Sequence, residues 1–455
     1  MTSYILQIGE EQADSEVIVD EKCMQFTDKK EKVCVEFADL IAVPDPSSDD
    51  QGLAVTIYYI KHTVFLLSKE TVRIHGQATI VRQFFQDVKE KFMQVPSSQP
   101  RRFLVFINPI GGKGTAVKTF EDTVKPLFDL AGITYQVIVS ERPNMCTEVM
   151  ESQDLSHVDG IVVCGGDGTL SEIVNVLLRR TMVAADLDFN DSKTKVPTTV
   201  IPVGHIPTGT ANVMTYCCCG TLDTVTATLC IIKGDTRPMG VSGVYSGGKL
   251  VRYSLVGVSI GLIADMMNTR DQLRWMGMFR LLWVPFVMLF SSFRTFTSEI
   301  TVDIRKKTTV TEGDKKEITY TEKEEKFERE IFNTMLLCWN IKDVNGKSHI
   351  WPNRGPFQTF IFYKSSCSKF QLVRHFMKLF SAKKEALDQD FLECYQAAGY
   401  TIKVKEDSPL DANLNINIDG DQFRLPEPFH ENRFHDGAVR MFSSLTDTDD
   451  NTSVP

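Results

Sequence analysis

The chain has 455 residues, enough for two or three domains. Its 42% hydrophobic and 24% charged content is that of a soluble globular protein, and a net charge of -9 leaves no basic field with which to hold nucleic acid. Eleven cysteines without a Cys-x-x-Cys pair argue against a zinc ribbon and for a reducing compartment.

Residues 1–95 predict a small β-rich domain. Strand candidates are Ser3–Ile8, Glu16–Val19, Lys32–Phe37, Ala54–Ile60 and Thr63–Leu67. A helix over 79–93 closes it, with Ile80, Val81, Phe84, Phe85, Val88 and Phe92 at helical spacing. Short strands and one closing helix fit a pleckstrin-homology-like (PH-like) barrel; the plainer reading is an unspecialised β domain packed on its neighbour. The N-terminus lacks the basic segment of a secretory signal. Residues 95–100, Val-Pro-Ser-Ser-Gln-Pro, read as a linker.

Strands and helices alternate over 101–235. Strand candidates are 103–107, 135–139, 160–164 and 198–202. A helix over 115–130 aligns Val117, Phe120, Val124, Leu127 and Phe128, and another aligns Leu170, Ile173, Val174, Leu177 and Leu178. This pattern predicts an α/β domain on a parallel sheet, whose ligands bind beyond the carboxyl ends of the strands.

The pattern changes over 236–445 to a β-rich second core. Val241–Tyr245 and Leu250–Val258 flank Gly247-Gly248 as a hairpin, and strands are expected at 331–341, 357–363, 400–405, 413–419 and 437–442. The amphipathic segment Arg274–Phe296 interrupts it. The run Leu281–Phe290 is too short to span a bilayer and contains Pro285. It reads either as core helix or as a gate that admits an acyl chain from a membrane. The charged stretch Arg305–Glu330 reads as an exposed hairpin or a mobile insertion, and Lys369–Lys384 as a basic helix. Residues 446–455 read as a disordered tail.

Two glycine loops carry the chemistry. Asn108-Pro109-Ile110-Gly111-Gly112-Lys113-Gly114 follows one strand, and Gly165-Gly166-Asp167-Gly168-Thr169 follows another; both precede helices. Such junctions aim backbone N–H groups and a helix N-terminus at an anion. Phosphoryl transfer also needs cations, for which Lys113, Arg274 and Arg280 are candidates, and a base, for which Asp167 is the candidate.

With these loops, PTGTANV at 207–213, SLVGVSIGLIAD at 254–265 and RWMGMFR at 274–280, the chain resembles the diacylglycerol-kinase-type lipid kinases from Arg101 to Ser443. The resemblance implies an α/β nucleotide-binding domain followed by a β-sandwich lipid-binding domain, with ATP and Mg2+ as cofactors and a lipid alcohol as acceptor. It implies that Asn108, Gly111, Gly112, Lys113 and Gly114 hold phosphate with Ser140 and Asn144 beside them. Gly165, Gly166, Gly168, Thr169, Thr208, Gly209 and Thr210 would line the nucleotide site, Arg274 and Arg280 would contact its phosphates, and Asp421 would help order it. Asp167 would act on the lipid hydroxyl and Asp265 would bind the lipid.

Family members that phosphorylate sphingosine carry two acids spaced as D-x-D, where this chain reads Asp265-Met266-Met267. Ceramide's neutral amide needs no second carboxylate, and a buried one would lack a cation. The implied substrate is therefore ceramide, with sphingosine as the alternative. The expected partners are ceramide or a related sphingolipid, a membrane surface bound peripherally from the cytoplasm, and no nucleic acid. The segment 369–384 also resembles a calmodulin target.

Two departures stand out. The family's D-G-E motif reads Asp419-Gly420-Asp421, one methylene shorter, and 352–356 lacks the acids that hold a structural magnesium in bacterial relatives. They keep open a weakly active, lipid-binding scaffold on a kinase fold. A further alternative is an esterase, because Gly257-Val258-Ser259-Ile260-Gly261 matches G-x-S-x-G. Asp265 as a helix N-cap, Arg274 and Arg280 as solvated charges, and Cys217–Cys219 as packing are the plainer readings of those residues.

Overall fold

Period-two burial in the first 76 residues builds an antiparallel sheet. Its strands are β1 (Thr2–Ile8), β2 (Asp14–Val19), β3 (Cys23–Asp28), β4 (Glu31–Glu36), β5 (Leu40–Ala42), β6 (Ser47–Asp49), β7 (Gly52–His62) and β8 (Leu67–Gly76). They run in the order β4-β3-β2-β1-β8-β7-β5, with β6 on β7. Helix α1 (Ala78–Met93) lays Val81, Phe84, Phe85 and Val88 into this core. Of the strand expected at 63–67, Thr63 and Leu66 lie outside any strand, joined by Thr63 N–H on the Leu66 carbonyl, and the strand begins at Leu67. Lys69, Thr71 and Arg73 on the outer face of β8, with Glu70 half-buried on the other face, hid its apolar pattern.

The structure is a computed structural model. It describes residues 1–9, 14–28, 31–50, 52–63, 66–99, 101–262, 264–265, 295–312, 315–331, 333–344, 347–352, 358–364, 367–380, 384–405 and 415–445. The expectations placed on Met267, Arg274, Arg280, segment 281–294, residues 353–356 and the tail 446–455 lie outside the described residues.

Next come four parallel strands: β9 (Arg102–Ile107), β10 (Thr134–Val139), β11 (Gly160–Gly165) and β12 (Val203–Pro207), in the order β10-β9-β11-β12. β9 and β11 are buried almost throughout, as strands covered on both faces must be. The expected helix over 115–130 is α2 (Ala116–Thr119) and α3 (Lys125–Leu130) joined by a π turn at Phe120–Val124. Pro126 offers no N–H to the carbonyl four residues back, which accounts for the widened turn. Then follow α4 (Met145–Ser152), α5 (Asp167–Ala184), α6 (Val213–Cys219) and α7 (Thr224–Lys233). The strand expected at 198–202 lies at 203–207. Pro197 and Pro202 lack ladder donors, and Thr199 is held elsewhere: its N–H bonds the Ala438 carbonyl and its hydroxyl accepts from Arg440 N–H.

The second half is β-rich. β13 (Thr236–Ser246) and β14 (Lys249–Ser254) form the expected hairpin around Gly247 and Gly248, both at positive φ, and β15 (Gly257–Gly261) follows a break. The charged stretch forms a long antiparallel hairpin, β16 (Phe296–Glu312) with β17 (Lys315–Ile331). Then come β18 (Asn333–Leu337), β19 (Trp339–Val344), β20 (Lys347–Pro352), β21 (Gln358–Tyr363), helix α8 (Lys369–Phe380) and β22 (Leu392–Val404). The hairpin β23 (Asn415–Ile418) and β24 (Asp421–Arg424) precedes the last strand, β25 (Phe429–Phe442). β25 pairs in parallel with β12 and antiparallel with β13 and β22, so both halves share one sheet.

The N-terminal sheet docks on α7. Leu67 N–H donates to Thr226 Oγ1 at 3.1 Å, while Ile41, Ile60 and Leu67 join the larger core. Asp39 holds His62 at 2.8 Å and Lys233, the last residue of α7, at 2.9 Å. Burial alone would raise the Asp39 carboxyl, but its bonds to His62 and Lys233 outweigh that and hold it below its ordinary 3.8. Burial pulls the Lys233 ammonium down and Asp39 more than reverses it, to above 10.5. Stability from the depressed acid is present above 3.8 and lost as pH falls through its folded value; that from the raised base is present below 10.5 and lost as pH rises through its own. Docking is therefore expected to be strongest between these limits. Asp39→Asn should cost about 1–3 kcal/mol in urea unfolding and speed proteolysis at 95–101. Unchanged stability and cleavage would assign the docking to the apolar contacts and the Leu67–Thr226 bond.

Candidate active site

Three glycine turns meet beyond the carboxyl ends of β9, β11 and β12. A Cβ on Gly112 would lie 2.3 Å from the Thr208 carbonyl oxygen, and one on Gly209 would lie 2.3 Å from the Cα of Gly166. The loops thus touch backbone to backbone, which a side chain at these positions would prevent. Gly112 also has φ +57. Their register is tied by Thr208 N–H to the Gly165 carbonyl (3.1 Å), Asn108 N–H to the Cys164 carbonyl (3.0 Å) and Asn108 Nδ2 to Thr169 Oγ1 (2.8 Å). Asn212 closes the third turn on itself, accepting from Gly209 N–H and donating to the Gly209 carbonyl.

The cradle fits an anion. Gly166 caps α5 with no side-chain bond to the first helical amides, and no neighbouring atom occupies the space a Cβ on Gly168 would take. Thr208 Oγ1 is buried without a partner among the described residues and awaits an acceptor or donor. Lys113 and Thr210 are exposed at the rim. Ser140 N–H bonds the Ile107 carbonyl at 2.8 Å, which sets the loop after β10 beside the first glycine turn; Asn144 follows it at φ +63 and starts α4.

Asp167 opens α5 and reaches across to α6. Oδ2 accepts from Val213 N–H and Oδ1 from Met214 N–H, each at 3.1 Å. The carboxylate so caps the start of α6 and keeps further lone pairs for a ligand proton. His205 lies behind it. Burial lowers its imidazole, against the Asp167 charge. Its Nε2 faces the Gly165 carbonyl, which can only accept, so Nε2 carries the proton and Nδ1 accepts from the Thr215 hydroxyl.

The busiest carboxylate is Asp419. Oδ1 accepts from Ser254 Oγ (2.6 Å), Val256 N–H (2.9 Å) and Gly257 N–H (3.0 Å); Oδ2 accepts from Ser171 Oγ (2.8 Å) and Leu255 N–H (2.9 Å). These bonds cause the break between β14 and β15. They also join the first turn of α5 to the β23–β24 turn. Arg252 donates to Ser171 Oγ at 3.4 Å and stands 3.5 Å from Asp421 Oδ2. Asp421 is therefore in an ion pair with Arg252. Burial lifts the Glu172 carboxyl above its ordinary value, with Arg252 opposing and Asp421 adding to the rise. Asn175 locks α5 to β14 by exchanging two bonds with the Tyr253 backbone. Asp265 is half-buried, and the carbonyl of its neighbour Ala264 accepts from Gln422 Nε2, which ties that helical segment to the β23–β24 hairpin.

Sequence reasoning singled out the glycine loops and Asp167. It missed Ser171, Glu172, Asn175, His205, Asn212, Arg252, Ser254 and Asp419. Asn212, Ser254 and Asp419 lay inside quoted motifs without a role, and Ser171 and Glu172 just after the second glycine loop, whereas nothing local marked Arg252. The G-x-S-x-G match does not form an elbow: Ser259 is buried in mid-strand, between β18 and β23.

Residues 102–244 match the diacylglycerol kinase catalytic domain family. The chain is 37% identical to a mouse ceramide kinase over 202 residues, 44% of this chain and 37% of that protein. It is also 36% identical to a sphingosine kinase of Arabidopsis thaliana over 194 residues, 41% of this chain and 37% of that protein. It thus spans little more than a third of the length of each of these two relatives. A solved Bacillus anthracis structure assigned as a diacylglycerol kinase shares the fold, with a TM-score of 0.50 at 18% identity, over 76% of this chain and 95% of that one.

Asp419→Asn turns one acceptor oxygen into a donor that faces other donors. It should destabilise the protein by about 2–4 kcal/mol in urea unfolding. Gly209→Ala should cost about 1–3 kcal/mol and show as a lower Tm. Wild-type stability in either variant would contradict the packing described.

Proposed function

We propose that this chain, which carries a diacylglycerol-kinase-type catalytic fold, is an ATP-dependent lipid kinase that phosphorylates the primary hydroxyl of ceramide. The observation that carries this reading is the backbone contact of three glycine turns beside the uncapped start of α5, a cradle for the phosphates of a nucleotide. Asn108, Gly111, Gly112, Lys113 and Gly114 would face the phosphates from one side. Gly166, Gly168, Thr169 and Thr208 would face them from the other.

The acceptor oxygen attacks the γ-phosphorus, its proton passes to the Asp167 carboxylate, and the bond to the ADP oxygen breaks. Donors fixed in place by the loops offset the developing charge without reorganising. Asp419 and Asn175 hold α5 so that Asp167 keeps its place. Among the described residues no group of three His, Cys, Asp or Glu comes together to hold a metal ion. Magnesium is expected to arrive with the nucleotide.

The similarity to ceramide kinases and the single acid of Asp265-Met266-Met267 support ceramide over sphingosine. We further propose that 101–235 is the nucleotide domain, that 236–445 is the β-sandwich lipid-binding domain with β25 returned to the first, and that 1–95 is a PH-like domain. The protein is proposed to work peripherally at a cytoplasmic membrane face.

Transfer of radiolabelled γ-phosphate to ceramide, sphingosine and diacylglycerol in mixed micelles tests the reading. Label on ceramide alone is expected, with Asp167→Asn lowering turnover by at least about a hundredfold while nucleotide still binds. Label on sphingosine would overturn the head-group assignment. Full activity of the variant would overturn the role of Asp167. Nucleotide binding without label on any lipid would favour the non-catalytic scaffold.

A further inference from the structure

Helix α8 presents two faces with different surroundings. A reciprocal capping box starts it: Gln371 N–H donates to Ser368 Oγ, and Ser368 N–H donates to Gln371 Oε1. The inner face is committed to the core. Leu372, His375 and Leu379 are buried, and His375 Nε2 lies 2.9 Å from the Tyr363 hydroxyl with its ring against Phe391. The outer face carries Phe370, Arg374 and Met377, spaced i, i+4 and i+7. Phe370 is 74% exposed and Met377 66%. They stand about 10 Å apart along the axis with the guanidinium between them.

Charge sets this segment apart from the rest of the molecule. The chain carries a net charge of -9, yet 364–384 contains Lys364, Lys369, Arg374, Lys378, Lys383 and Lys384 and no Asp or Glu. Exposed large apolar side chains amid basic ones form the pattern of an interfacial helix. A protein partner that wraps a helix in a groove would need a broad apolar face, and the one α8 has is already packed. A planar surface can use the exposed strip as it stands.

We propose that the outer face of α8 docks on an anionic lipid surface, with Phe370 and Met377 entering the head-group layer and Arg374 and Lys378 meeting lipid phosphates and carboxylates. The lipid-kinase reading gives this docking its purpose, presentation of the site to a membrane-held acceptor, but vesicle binding is read without turnover.

The full chain would be sedimented with phosphatidylcholine vesicles with and without phosphatidylserine. Binding is expected only with phosphatidylserine and should fall with added salt. Phe370→Ser with Met377→Ser, and separately Arg374→Glu with Lys378→Glu, should each weaken it about tenfold or more. Phe370, Arg374 and Met377 are exposed and Lys378 is half-buried outside the core, so Tm and transfer to a detergent-dispersed acceptor should be unchanged. Absence of vesicle binding by the parent chain, or equal binding by both variants, would overturn the proposal. Capture of calcium-loaded calmodulin through the same residues without vesicle binding would also overturn it, in favour of a protein partner. A chain that labels no lipid but binds vesicles through this face would sink the kinase reading and leave the docking intact.

Discussion

The arrangement of the site depends on one buried carboxylate. Asp419 takes five hydrogen bonds from α5, from the end of β14, from the turn between β14 and β15, and from the start of β15. An isolated buried anion is costly, and short bonds from hydroxyls and amides offset that cost. The residue adopts a left-handed backbone, φ +53, which aspartate tolerates better than most. Its own N–H bonds the Gly257 carbonyl, so turn and partner fix each other. Through Ser171 this node sets the start of α5, and with it Asp167.

Sterics does the complementary work. Gly112, Gly166 and Gly209 bring three backbones closer than any side chain would allow. The wall they form is made of peptide groups rather than rotatable side chains. It has few alternative states, a property suited to holding charge in a fixed place. Asp167 belongs to both systems: it starts the helix that Asp419 holds and caps the helix that follows the third glycine turn.

The glycine loops were legible because each signal is local: an apolar run, a tight turn and a helix within a few residues. Asp419 was not. Asp-Gly in a hairpin reads as a turn, and its partners lie 162 to 248 residues away in the chain. The D-G-E comparison drew weight to Asp421, whereas the larger set of bonds falls on the residue two places earlier. Strand placement failed where a distant element decided it. Thr199 has the composition of a strand residue, yet its backbone and hydroxyl are taken by β25. β8 escaped notice because its outward residues are charged and only three-dimensional context separates its two faces.

The position of β25 has a consequence for how the protein is made. Phe429–Phe442 lies between β12 and β22 in the sheet and also covers β13. Until the ribosome has released this strand, all three neighbours present open edges, and the nucleotide half cannot be finished although its own sequence ended some two hundred residues earlier. Synthesis from the N-terminus therefore produces a long-lived nascent chain with a folded first sheet and an incomplete second one. Such a chain has reason to depend on chaperones, and a premature stop near its end would strip β12, β13 and β22 of their shared neighbour rather than trim a terminus.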